Sequence, residues 1–362
     1  MSPSGLRRQI GQCVMLGFSG PSVPPELRSL ARDFDLGGVV LFSRNVEEPE
    51  QIAELSAECA RLSDDPPLWV GIDQEGGRVA RLRGAFTRWP AAHVLGRSGS
   101  DALVRRFAAA LAREMRAVGI TLNFAPVLDV LSNPRNAVIG DRAFGADAAM
   151  VARLSAAFIE AFQAEGVAAC GKHFPGHGDT FADSHVEVPV VEHGPDRLRS
   201  VEYLPFRAAV EAGVSAMMTS HLLVPALDET WPASQSAAIT RGELRERLGF
   251  RGVVLTDDLC MKACSARWDV PSAAVRAVVA GHDAVLVCEP QPDLQAATLE
   301  ALVHAVEDGT VPYSRVEEAI VRHRSAKAAF CAREPQSRAH DWRIVVGCDA
   351  HRAVADEMAA FL

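Results

Sequence analysis

Between Lys172 and His185 the sequence reads Lys-His-Phe-Pro-Gly-His-Gly-Asp-Thr-Phe-Ala-Asp-Ser-His, which places three histidines, two aspartates and a lysine within fourteen residues. The stretch directly follows the apolar run Val167-Ala168-Ala169-Cys170, which reads as a buried strand. Titratable groups crowded at a strand's end do not belong in a core, because burying them unpaired is costly. They face water or a ligand. In an extended loop, residues i and i+2 lie on one side, so the Asp183 carboxylate can hold the His185 imidazole in one tautomer and favour its protonated form. That is the pairing used for proton transfer in acyl-transfer enzymes. His173, His177, Asp179, Asp183 and His185 also supply the donor types of a zinc or manganese hydrolase. Against a metal, Lys172 stands beside them and would oppose a cation, and the spacing matches no HExxH-type signature.

Positioning such groups takes a frame, and the chain offers a repetitive one. Eight short apolar runs recur along it: 13–17, 38–42, 68–73, 122–127, 167–173, 214–220, 253–257 and 284–288. Most lack the polar alternation of a half-exposed strand, so they read as parallel strands buried on both faces. Amphipathic stretches lie between them at 48–61, 101–118, 147–164, 196–212, 241–248, 271–280 and 291–307. Gly119, Gly166, Gly213 and Gly281 each stand just past a helical stretch, where a left-handed cap is wanted. Eight βα units predict an α/β fold, a (β/α)8 TIM barrel in one domain. An open doubly wound sheet is the competing arrangement, weakened because no GxGxxG follows the first strand. Ser314-x-x-Glu317 reads as a capping box opening a helix to about 333. The barrel is therefore placed at 1–335, with 336–362 as a tail whose terminal helix packs on it.

In a barrel the C-terminal ends of the strands converge on one rim, where catalysis is found. Those ends carry Asp73 with Glu75, Arg78 and Arg81 beyond it, then Asn136, Asp141 and Arg142, then Lys172 and His173, then His221, then Asp257 and Asp258. Adjacent residues of a strand point to opposite faces, so Asp257 and Asp258 cannot both aim at one substrate atom. One faces the lumen and the other holds a neighbouring loop.

The chain has 362 residues, 48% hydrophobic and 23% charged, with a net charge of −9. That balance argues against a nucleic-acid or anionic-membrane surface. Neither an N-terminal signal segment nor a membrane span is legible, and the eight scattered cysteines form no CxxC pair, so a reducing cytoplasm is expected.

Taken together, the stretches GIDQEGGRVAR (71–81), NFAPVLDV (123–130), GDRAFG (140–145), GKHFPGHGDTFADSH (171–185), MMTSHL (217–222) and VVLTDDLCM (253–261) resemble glycoside hydrolase family 3. The resemblance is to its single-domain bacterial β-N-acetylhexosaminidases. It implies a (β/α)8 barrel that needs no cofactor. It also implies Asp257 as nucleophile, His185 as general acid/base and Asp183 as its orienting partner. Asp73, Arg81, Arg142, Lys172 and His173 would bind the N-acetylglucosamine ring. The implied reaction removes GlcNAc from muropeptide fragments such as GlcNAc-1,6-anhydro-MurNAc, in the cytoplasm, with a small carbohydrate as the only partner and a monomeric enzyme. A phosphorylase on the same site, or a sugar-binding protein without catalysis, are the alternatives of different class.

Overall fold

A computed structural model describes residues 3–63, 67–180, 188–331 and 341–362. Eight parallel strands close into a barrel: β1 (Val14–Gly17), β2 (Gly38–Leu41), β3 (Trp69–Ile72), β4 (Leu122–Asn123), β5 (Ala168–Phe174), β6 (Ala216–Thr219), β7 (Val253–Asp258) and β8 (Ala284–Val287). Each strand pairs with its neighbours in sequence, and β8 returns to β1 through Val14↔Val285. The open-sheet alternative is thereby excluded.

The strands are apolar on both faces because both are covered. Met15, Val40, Trp69, Leu122, Cys170, Met218, Leu255 and Leu286 fill the barrel's interior. The residues between them, such as Leu16, Val39, Val70 and Val254, pack outward under the helices. Trp69 is the largest interior side chain, accommodated by alanines at 168, 216 and 284. Its Nε1–H donates to His323 Nδ1 at 3.2 Å. His323 belongs to the helix Tyr313–Phe330, whose Ala326 and Phe330 pack against the interior cluster and close the N-terminal mouth.

Strand β4 is shorter than its apolar run. The Asn123 side chain accepts from Gln74 N at 3.0 Å and donates to Gln74 O at 2.9 Å, which draws the chain toward β3. Pro126 then has no N–H for a ladder. The expected glycine caps are present, with φ of +80° at Gly119 and +117° at Gly281. The expected capping box does not form: the helix begins at Tyr313, after Pro312, with no side-chain cap. The stretches 198–202 and 238–247 are wound in wider i→i+5 turns where an ordinary helix was expected. The first crossover helix, Pro25–Phe34, was missed altogether; its Leu27, Ala31 and Phe34 are buried among many polar neighbours.

Beyond the barrel, a helix at Asp349–Ala359 packs on the helix Asp101–Ala117. The buried Glu114 carboxylate joins them, accepting from Thr87 N, Gly347 N at 2.9 Å and His351 Nδ1 at 3.0 Å. Among the described residues, no helix is long and apolar enough to cross a membrane.

Candidate active site

At the C-terminal rim the strand ends enclose a cavity of about 530 Å3, lined among others by Asp73, Arg81, Arg142, Lys172, His173 and Asp257. Six of the eight residues expected from sequence thus meet in one cleft. The other two, Asp183 and His185, lie outside the described residues.

Lys172 is the cleft's pivot. It is buried inside β5, and its ammonium donates to Asp73 Oδ1 at 2.6 Å and lies 2.7 Å from Glu75 Oε1. Asp73, just past β3, also stands 3.6 Å from Arg81 Nη2. Arg142 arrives from the long loop after β4 and forms a two-pronged pair with Glu75, both bonds at 2.8 Å. Its Nη1 also donates to Val138 O at 3.1 Å. Burial alone would raise the Glu75 carboxyl; Lys172 and Arg142 outweigh it and hold it far below the ordinary range. The same carboxylates keep Lys172 protonated despite burial, its pKa raised above the usual lysine value.

His173 is fixed from both sides. Its Nδ1 lies 2.7 Å from Asp129 Oδ2, and its Nε2 lies 3.4 Å from Arg142 Nη2. Asp129 is completely buried, and its Oδ1 also accepts from the backbone N–H of His177 at 2.6 Å. His177 lies behind His173, with Nδ1 2.8 Å from Thr180 Oγ1. Burial pushes His177 down to about 4, so it is neutral at pH 7.

Asp257 and Asp258 close the floor of the cleft, and both touch its wall. They do different things there. Asp258 Oδ1 accepts from the N–H groups of Cys260 at 3.1 Å and Cys288 at 3.0 Å, holding the β7 and β8 loops together. Burial drives its pKa up. Asp257 accepts from Asp258 N at 2.8 Å. Burial would raise Asp257 as well, but His221, His173, that N–H and Lys172 outweigh it and hold it below the ordinary range. It is therefore an ionised carboxylate at neutral pH. Of the expected division, the structure shows Asp258 holding neighbouring loops, while both aspartates line the same cleft.

The loops around the cleft are bolted together. Asn136 Nδ2 donates to His177 O at 2.7 Å, and Asn133 Nδ2 to Thr180 O at 3.1 Å. A Cβ on Gly178 would stand 1.7 Å from Val130 O, so the glycine is there for close approach between backbones. Up to Thr180 these contacts hold the loop in place.

Glu75, Asp129 and His221 are the residues that sequence reasoning undervalued. Glu75 was named among the strand-end groups without a role, and Asp129 carried none within its motif. His221, noted only as a strand-end group, donates from Nε2 to Asp258 O at 2.9 Å and is one of the groups that lower the Asp257 pKa against burial. Of the donors proposed for a metal, His173 and His177 are committed to Asp129 and Thr180, and Asp179 accepts from Ser132 Oγ at 3.0 Å.

Comparisons with known proteins identify the family. The glycosyl hydrolase family 3 N-terminal domain matches residues 5–325. A β-hexosaminidase of Thiobacillus denitrificans is 41% identical over 295 residues, 80% of this chain and 81% of its own. A family 3 β-N-acetylglucosaminidase from a Paenibacillus species superposes with a TM-score of 0.92 at 39% identity, over 98% of this chain and 68% of that one. NagZ from Neisseria gonorrhoeae, solved with N-trifluoroacetyl-D-glucosamine, superposes with a TM-score of 0.81 at 33% identity, over 96% and 97% of the two chains. The chain belongs to glycosyl hydrolase family 3. It is a glycoside hydrolase of the hexosaminidase kind.

Proposed function

We propose that the protein is a retaining exo-β-N-acetylglucosaminidase that releases terminal GlcNAc from muropeptide fragments such as GlcNAc-1,6-anhydro-MurNAc peptides. The observation that carries this reading is Asp257, an ionised carboxylate at a strand end on the floor of a cleft lined with fixed donors. In the first step the Asp257 carboxylate bonds to C1 as the C1–O bond to the leaving sugar breaks. The departing oxygen takes a proton from His185, which Asp183 orients. In the second step His185 removes a proton from water, which displaces Asp257 and restores the β-configuration. Arg142 and Lys172 offer donors to the ring hydroxyls and acetamido carbonyl, and Asp73 accepts from the hydroxyls. The N-acylglucosamine held by the Neisseria NagZ supports this ligand class. The enzyme would work in the cytoplasm as a monomer, without a cofactor.

Trapping with a fluorinated GlcNAc donor, followed by sequencing of the labelled peptide, tests the nucleophile. The label is expected on Asp257; a label on Asp258, or none on active enzyme, overturns the assignment. Asp183→Ala and His185→Ala should each lower turnover by about 10²-fold or more, and the double change should cost little beyond either. A full product of the two losses would show two independent roles. Cleavage rates with and without added phosphate separate hydrolysis from phosphorolysis.

A further inference from the structure

The opposite end of the barrel carries a second charged cavity. It has a volume of about 340 Å3 and is lined by Arg241, Arg245, Arg251, Ser314, Arg315 and Arg322, and also by Glu246 and Glu318. These residues come from the 238–247 helix, the turns entering β7 and β8, and the first turns of the Tyr313–Phe330 helix. The cavity shares no residue with the sugar cleft.

Positive charge is in excess here. Asp283 is the buried anion at the centre, and one carboxylate serves three guanidinium groups. Its Oδ1 accepts from Arg322 Nη1 at 2.8 Å and from Arg315 Nη2; its Oδ2 accepts from Arg245 Nη2 and from Val254 N at 2.9 Å. Glu318 takes Arg315 Nη1 at 2.6 Å. Arg241 donates to Val279 O at 2.8 Å, and neither it nor Arg251 has a carboxylate partner among the described residues. Burial, helped by the charges of Arg322 and Arg315, pushes Arg245 down to about 10. The cluster would be relieved by one more anion.

The Arg315 guanidinium is buried and committed to Asp283 and Glu318, so the exposed Arg241 and Arg251 and the half-buried Arg322 are the cations that face the open space. The Tyr313–Phe330 helix opens at the cavity without a side-chain cap, as several other helices of the fold do. The positive end of an 18-residue helix is thus left facing the arginines.

We propose that this cavity binds a phosphorylated small molecule, its phosphoryl group held by Arg241, Arg251 and Arg322 over the first turn of the Tyr313–Phe330 helix. A multiply charged tetrahedral anion suits several guanidinium forks and a helix N-terminus at once. The cavity is of the size that ordinarily encloses a small ligand rather than a bare ion. The chain's net charge of −9 argues against a polymeric polyanion in that role.

Calorimetric titration of the full chain with inorganic phosphate, pyrophosphate and a hexose phosphate, at constant ionic strength in chloride, tests the proposal. One-to-one binding is expected, unchanged by saturating GlcNAc, and weakened about 10-fold or more in R241Q/R251Q. R241K/R251K should recover part of the affinity, which a merely structural role would not produce. A hexose phosphate that binds more tightly than the inorganic ions identifies an ester as the ligand; equal affinities identify free phosphate. Arg251→Gln alone, at an exposed position, repeats the test should the double variant fold poorly. Absence of binding above the chloride background, affinity unaltered by the Gln variants, or displacement by GlcNAc would each overturn the site.

Discussion

Two clusters of ions sit at opposite ends of one barrel, and their charges are combined differently. At the rim, cation and anion alternate: Arg81, Asp73, Lys172, Glu75 and Arg142 follow one another at 3.6, 2.6, 2.7 and 2.8 Å. At the floor, one aspartate faces three arginines. The rim's charge is almost matched internally, which suits the uncharged sugar proposed as its ligand. Binding there should depend little on salt. The floor keeps a positive remainder, and any anion it takes should be released as ionic strength rises.

The contrast can be broken by single changes. The largest effect is expected for Asp257→Ala, which should lower kcat by about 10³-fold or more while the melting temperature stays near that of the parent. Wild-type-like turnover in that variant would remove the rim's claim to chemistry. Next come Glu75→Gln and Asp283→Asn, each of which strands buried cations and should cost on the order of 3 kcal/mol in denaturant unfolding. Only Glu75→Gln should also reduce kcat/KM of the folded fraction, because it releases Arg142 and Lys172. Equal losses of activity in both would erase the distinction between the two ends. The smallest effect concerns Lys327, buried beneath the floor with its Nζ donating to Gln12 Oε1 at 2.8 Å. Burial lowers its pKa from 10.5 to about 8. Between those values the unfolded chain holds a proton that the folded one has lost, so stability from this group rises with pH across the window. Measured against Lys327→Met, wild type should gain on the order of 2 kcal/mol from pH 8 to 10.5. A flat difference would mean that Lys327 stays charged in the fold.

The eight strands were legible because both faces of each are buried, which leaves unbroken apolar runs in the sequence. The rim residues were legible because charge at a strand's end has no place in a core. Glu75 and Asp129 were not, and the reason is distance along the chain. Glu75 meets Arg142 across 67 positions and Asp129 meets His173 across 44, so nothing local marks either as a partner. The Ser314–Glu317 pattern erred the other way. Locally it fits a cap, yet the helix starts at Tyr313, one residue before Ser314 and directly after Pro312, and the Arg315 side chain reaches down to Asp283. The dyad at Asp183 and His185 rests on spacing and resemblance.

The alternating chain at the rim has a consequence for how this site can vary. Its members come from three separate stretches of sequence, and each interior member stands between two of opposite sign. Replacing Glu75 alone brings two cations face to face; replacing Lys172 alone does the same to two carboxylates. A sequence drifting one substitution at a time meets a barrier at every step, so new sugar preferences at this end must come from the uncharged walls or from paired exchanges.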